Sequence, residues 1–276
     1  MLGMTAPSST LAFIGGGNMA SAIVGGLIRQ GSDPAHIVVV EPDAGARERL
    51  LSTYSIQTLE KADASLASAG LVVWAIKPQV FKDVALQNRP FLDKAVHLSV
   101  AAGIRSDDIA RWVGTDKVVR AMPNTPALVG LGQTGLFARA GVNTDDRRWV
   151  EQVVATTGQF LWVKDESLLD AVTAISGSGP AYVFYFIEAM VQAGIDMGLS
   201  EAQAHQLAVG TFVGASSLAQ SAQEPPSVLR ERVTSKGGTT YAAITSMQSH
   251  DVAGLFAQAL EAARARAQAL GDEFGR

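Results

Sequence analysis

The sequence predicts a doubly wound α/β domain with a parallel sheet at the N-terminal end, followed by an all-helical domain. Two observations carry this. Between Leu11 and Val163, short apolar runs rich in β-branched residues alternate with helix-like stretches, as expected of parallel strands covered on both faces. After Asp165 those runs stop and helical patterning takes over. A chain of 276 residues has room for two cores. The expected limits are 10–164 for the sheet domain and 165–276 for the helical one, behind a loose polar leader at 1–9.

The first run, LAFIG (11–15), leads into NMASAIVGGLIRQG (18–31), a crossover helix closed by a glycine stop signal. IVVVE (37–41), LVVWAI (71–76), VHLSVA (96–101) and VVRAM (118–122) are the next strands, and the weaker TGLFAR (134–139) and QFLWV (159–163) extend the sheet at its edge. In the second half Pro180 sits in a first helical turn, where its missing N–H costs nothing. The helix it opens, through AYVFYFIEAMVQAGI (181–195), is apolar enough to expect burial on most sides. It is too short to span a bilayer and carries Glu188 and Gln192, so no membrane is expected as a partner.

Ser200 and Gln203 fit a capping box for a helix running towards Gln220, which AQEPPS (222–227) ends. SVLRERVTS then reads as a short helix capped by Ser227. The last helix, from Val252 to about Leu270, lines up Val252, Leu255, Phe256, Ala259, Leu260 and Ala263, with Arg264 and Arg266 off that stripe. Small residues and broad apolar faces in this half suggest helices supplied by a second copy, and hence a homodimer.

Composition narrows the function. A net charge of −4 leaves no excess of Lys and Arg to neutralise phosphates, which argues against nucleic acid as the main partner. Without cysteine there is no disulfide or thiolate metal site, and His36, His97, His205 and His250 show no ligand spacing, so no metal is expected. The missing signals fit a cytoplasmic protein.

Three strand ends look chemically equipped. IGGGNMA places Gly15, Gly17 and Ala20 in a G-x-G-x-x-G/A pattern between a strand and a helix, with Gly16, Asn18 and Met19 in the same turn. Glycine lets backbone approach a pyrophosphate, and the helix start supplies N–H donors. Glu41 ends the second strand, where a carboxylate accepts from a ribose 2′-OH and repels a 2′-phosphate; Arg47 and Arg49 just beyond either reach round to the same place or lie on a solvated helix face, the reading favoured for Arg49. NAD and NADP therefore both stay open. Ala75, Lys77 and Pro78 follow the third strand, Ala101, Ala102 and Gly103 the fourth, and Pro123 and Asn124 the fifth. Ligands of such sheets lie beyond the strands' carboxyl ends, so these residues are candidates to flank a cofactor, with the prolines equally readable as strand stops.

The stretch TSKGGTTYAAI (234–244) breaks a helical region with two glycines and crowds hydroxyls around them. Gly237 and Gly238 end one helix, and Thr239 or Thr240 caps the next. That leaves a helix start ringed by Ser235, Thr239 and Thr240, which suits a small carboxylate; a plain helix–helix corner explains the glycines but not the hydroxyls.

Taken together, FIGGGNMASAI, WAIKPQ, SVAAGI, RAMPNTPA, AISGSGPAY and LRERVTSKGGTTYAAI resemble the pyrroline-5-carboxylate reductases over nearly the whole chain and in the same order. The resemblance implies a Rossmann domain and a helical dimerisation domain that interlocks with its copy, with dimers often gathered into a ring. It implies reduction of 1-pyrroline-5-carboxylate to L-proline by NADPH or NADH, the last step of proline biosynthesis. Residues Ser235, Gly237, Gly238, Thr239 and Thr240 would hold the substrate, with Thr240 bonding the ring nitrogen, and Ala102 would line the nicotinamide side. Alternatives on the same scaffold are another NAD(P)-dependent imine or hydroxyacid oxidoreductase, or a non-catalytic dinucleotide-binding protein. A hydroxyacid enzyme would be expected to carry G-x-x-x-N-x-x-K on a helix of the second domain, and no such motif follows Asp165.

Overall fold

A computed structural model describes residues 10–275; the leader assigned to residues 1–9 lies outside them. The chain forms two compact units, Met1–Ser178 with Ala263–Arg276, and Gly179–Ala262. The strands end near residue 164, but compaction divides the chain later, after Ser178, and returns the tail of the last helix to the first unit.

The first unit is built on eight strands: β1 (Thr10–Ile14), β2 (Ile37–Val40), β3 (Gln57–Leu59), β4 (Ala69–Trp74), β5 (Val96–Ser99), β6 (Val118–Met122), β7 (Gly132–Ala138) and β8 (Gly158–Trp162). They form one sheet in the order β3-β2-β1-β4-β5-β6-β7-β8. β1 is central, with Phe13 in register with Val39 on one side and Val73 on the other. Every pairing is parallel except β6 with β7. Two details depart from the sequence reading: β3 is an additional short strand at one edge, and the β6–β7 step reverses direction.

The helices that cover the sheet are α1 (Asn18–Arg29), α2 (Ala44–Tyr54), α3 (Pro78–Asn88), α4 (Ser106–Val113) and α5 (Thr144–Ala155); α6 (Leu168–Val172) follows β8. Alternation along β1 explains the two layers. Leu11 and Phe13 pack with Ile23, Val24 and Leu27 of α1 and Val150 and Val153 of α5. Ala12 and Ile14 face the other way, in a core holding Trp74, with Phe81 and Ala85 of α3 and Ile109 and Trp112 of α4. Each fully buried side chain of this size stabilises by about 1.5–3 kcal/mol, so the central strands are the least tolerant of change.

The second unit holds α7 (Gly179–Asp196), α8 (Glu201–Ser221), α9 (Pro226–Arg232), α10 (Thr239–Ser249) and most of α11 (Val252–Phe274). Ser200 and Gln203 form the expected capping box at α8. Ser227, expected to cap α9, instead lies inside it, because Pro226 starts the helix, where a fixed φ and absent N–H are favourable. The burial expected of α7 is also not met within one chain: Phe184 is 58% and Tyr185 70% exposed. Phe256 makes edge contacts with Tyr182 and Phe186, but Leu255 of the same stripe is 59% exposed. Helices this apolar bury such faces only against something beyond the single chain. No helix among the described residues is long and apolar enough to cross a membrane.

The end of α11 completes the first unit. Phe274 packs against the core formed by α3 and α4, and Leu270 lies beside Gly103. Arg105 approaches Asp272 at 3.5 Å, and Arg111 donates to the Gly275 carbonyl at 3.1 Å.

Candidate active site

The turn between β1 and α1 follows from its glycines. Gly15 has φ +97°, a conformation L side chains rarely adopt, and a Cβ there would fall 2.5 Å from the Ala75 carbonyl oxygen. Gly17 is the opposite case, with nothing within 4 Å of where a Cβ would stand, so backbone is exposed on that side. Two of the turn's N–H groups are already used: Gly15 donates to the Val40 carbonyl and Gly16 to Glu41 Oε2, both at 2.8 Å. Asn18, Met19 and Ala20 form the first turn of α1, whose N–H groups have no intrahelical partner. No side chain caps this helix and its first turn holds no acidic residue, so its positive end is available to a phosphate.

Glu41 stands immediately after β2. Besides Gly16, its carboxylate accepts from the Asp43 N–H at 2.9 Å. Arg47 does not reach past it; the guanidinium donates to the Glu41 and Pro42 carbonyls at 2.8 and 2.7 Å and closes the turn from behind. A cavity of about 660 Å³ opens here, lined by Gly15, Gly17, Glu41, Ala75 and Lys77 of the expected set. Its remaining wall includes Pro42, Glu60, Lys61, Val80, Val84 and Asn88. Val80, Val84 and Asn88 recur every four residues on α3, a helical stripe that marks one wall of the cavity. The Oδ1 of Asn88 is buried behind this wall and has no hydrogen-bond partner among the described residues. An apolar cleft beside an uncapped helix start, with the Glu41 carboxylate in its wall, fits a dinucleotide.

Ala101 to Gly103 and Pro123 to Asn124 end β5 and β6 on the same edge of the sheet, but they are not among the residues lining this cavity. Gly103 (φ +73°) turns towards Leu270 and Phe274. The side chain of Asn124 is committed internally: its Oδ1 accepts from the Gln133 N–H at 2.9 Å and its Nδ2 donates to the Ser176 carbonyl and hydroxyl at 3.2 Å. Ser176 lies in a π-helical turn, Thr173–Gly177. Below this, Arg120 of β6 donates to Glu166 at 2.6 Å, and Glu166 also accepts from the N–H and hydroxyl of Ser106. Burial raises the carboxyl of nearby Asp170, against the pull of Arg105 and Arg120.

The remaining expected residues lie in the second unit, between α9 and α10. Gly237 has φ +76° and Gly238 donates to the Ser235 carbonyl at 2.9 Å. Neither Thr239 nor Thr240 caps α10, as had been expected. Gly238 occupies the cap position, the two threonines are the first helical residues, and no side chain closes the helix start. The glycine's extended conformation brings the chain into the helix one residue earlier, leaving the first-turn N–H groups without an intrahelical partner.

Fold and first-unit geometry together define a Rossmann-type dinucleotide-binding scaffold. Residues 10–103 match a family model described as NADP oxidoreductase, coenzyme F420-dependent, and residues 166–270 match one described as pyrroline-5-carboxylate reductase dimerisation. A pyrroline-5-carboxylate reductase of Pseudomonas aeruginosa is 42% identical, covering 96% of this chain and 98% of its own. One from Pisum sativum is 35% identical, with 98% and 99% covered. Among solved structures, a pyrroline-5-carboxylate reductase from Coxiella burnetii is 37% identical with TM-score 0.90, covering 96% and 99% of the two chains. A Plasmodium falciparum pyrroline carboxylate reductase with NADP bound is 27% identical with TM-score 0.85, over 96% and 98%. The chain belongs to the pyrroline-5-carboxylate reductase family.

Proposed function

We infer that this chain reduces 1-pyrroline-5-carboxylate to L-proline with NAD(P)H, as an oxidoreductase acting on a C=N bond. The observation that carries the reading is identity of 42% to a reductase of that name over almost all of both chains. Bound NAD(P)H supplies the hydride from C4 of its nicotinamide. Residues 10–164 hold the coenzyme, its pyrophosphate at the N–H groups of Asn18, Met19 and Ala20. Residues 165–276 carry substrate and dimerisation functions.

The substrate's carboxylate suits the N–H groups that open α10, with Ser235 and Thr239 adding hydroxyl donors. The Thr240 hydroxyl bonds the ring nitrogen. A threonine hydroxyl is far too weak an acid to be the proton's source, so Thr240 orients the imine, and the proton arrives with the iminium form or from water. Balance is kept: the ring carbon gains the hydride, and the nitrogen keeps or gains one proton. The apolar faces of α7 and α11 support a homodimer; a ring of such dimers and a cytoplasmic location belong to the same reading, the first measurable as molar mass in solution.

The test is loss of reduced-nicotinamide absorbance when 1-pyrroline-5-carboxylate is added, with Thr240→Ala beside the wild type. Turnover is expected, falling at least about tenfold in the variant, roughly 1.4 kcal/mol of transition-state stabilisation. Absence of turnover in protein that binds the coenzyme would sink the assignment.

A further inference from the structure

We propose that Glu41 makes this chain select NADH over NADPH. The inference rests on the coenzyme role given above and names which coenzyme the site takes.

In a doubly wound sheet the residue closing β2 meets the adenosine ribose, the part of the molecule in which the two coenzymes differ. Glu41 holds that place, and its carboxylate is fixed. Oε2 takes the Gly16 N–H at 2.8 Å and Oε1 the Asp43 N–H at 2.9 Å. A Cβ on Gly16 would come within 3.2 Å of Glu41 Cγ, so the side chain lies flat against the glycine turn. Swinging it aside would give up both of these hydrogen bonds. A carboxylate has about four acceptor positions, and two remain for ribose hydroxyls. A 2′-phosphate brought to the same place would meet a fixed negative charge.

The nearby cations do not offset this. Arg47, the first candidate to bind a phosphate, has its Nη1 on the Glu41 and Pro42 carbonyls and its Nη2 3.9 Å from Glu60. Lys61 and Lys77 line the larger cavity, but with Glu60 and Glu41 in the same wall the charges cancel. Arg49 lines a smaller cavity of about 310 Å³, and there too Glu41 stands in the same wall. A phosphate site needs a surplus of donors, and a hydroxyl site needs an acceptor. This wall supplies the acceptor.

The test is calorimetric binding of NAD⁺ and NADP⁺ to the full-length protein without substrate, together with kcat/KM for NADH and NADPH. NAD⁺ is expected to bind at least about tenfold more tightly, the scale of a like-charge contact. Glu41→Ser and Glu41→Gln, each checked for an unchanged melting temperature, should lower that ratio at least about tenfold by improving NADP⁺ binding. Equal or tighter NADP⁺ binding by the wild type, or a ratio unmoved in both variants, overturns the proposal. Binding of neither dinucleotide overturns the coenzyme assignment along with it. A NAD⁺ preference that Glu41 controls, in protein inactive on 1-pyrroline-5-carboxylate, leaves this inference standing and removes the substrate.

Discussion

Acidification should destabilise this protein beyond what its carboxylates impose, and His97 is the reason. The ring is fully buried on β5, stacked on Trp74 with centroids 5.8 Å apart. Trp74 Nε1 donates to His97 Nδ1 at 3.0 Å, so that nitrogen must stay unprotonated, while Nε2 has no hydrogen-bond partner among the described residues. Burial lowers the pKa from 6.5 to about 4, and the Leu92 backbone opposes this more weakly. In an unfolded chain the same histidine titrates at 6.5, so between these values the unfolded state binds one more proton. The contribution is fully present above about pH 6.5 and is lost as pH falls through about 4. That window of roughly two and a half units corresponds to about 3 kcal/mol, or about 6–12 °C in melting temperature for a unit of this size. The assay is thermal unfolding from pH 7 to pH 4 in wild type and His97→Gln, whose amide keeps an acceptor for Trp74 but cannot titrate. The variant should lose stability less steeply. Parallel curves would refute the reasoning.

Two further outcomes follow from the geometry. Arg120→Met leaves the partly buried Glu166 carboxylate without its cation and should cost about 3 kcal/mol in urea unfolding at pH 7, with Arg120→Met/Glu166→Gln recovering part of it; a cost below about 1 kcal/mol would count the pair as a mere surface bridge. Gly15→Ala places a side chain at φ +97° and against the Ala75 carbonyl, so NADH binding followed by fluorescence should weaken at least about tenfold while circular dichroism stays near wild type.

The parts of the fold legible in the sequence are those where one physical demand dominates. β1, β2, β4, β5 and β6 are sealed on both faces, which forces nearly unbroken apolar runs. β3 escaped because Gln57, Thr58 and Leu59 are few and only partly buried, as an edge strand permits. The reversal between β6 and β7 leaves no trace in either strand, since alternation looks the same in both directions. The glycine turn was readable because backbone must come close to Ala75 and to a ligand. Asn88 and Lys61 were not, because their place in the cavity depends on where α3 and the chain after β3 lie in space. The π-helical turn at Ser176 was hidden for the same reason, being fixed by Asn124 from fifty residues away.

The return of the α11 tail to the first unit has a consequence for the order in which this protein can be made. Synthesis delivers the whole sheet long before Leu270 and Phe274, the residues that cover Gly103 and the core beneath α4. A nascent chain can therefore assemble its strands on the ribosome, yet must hold that surface uncovered until Leu270 and Phe274 emerge. Closing it joins positions more than 160 residues apart, a contact whose loop-closure cost is met late. The dinucleotide-binding unit is thus begun before residues 179–262 are synthesised and finished only after them.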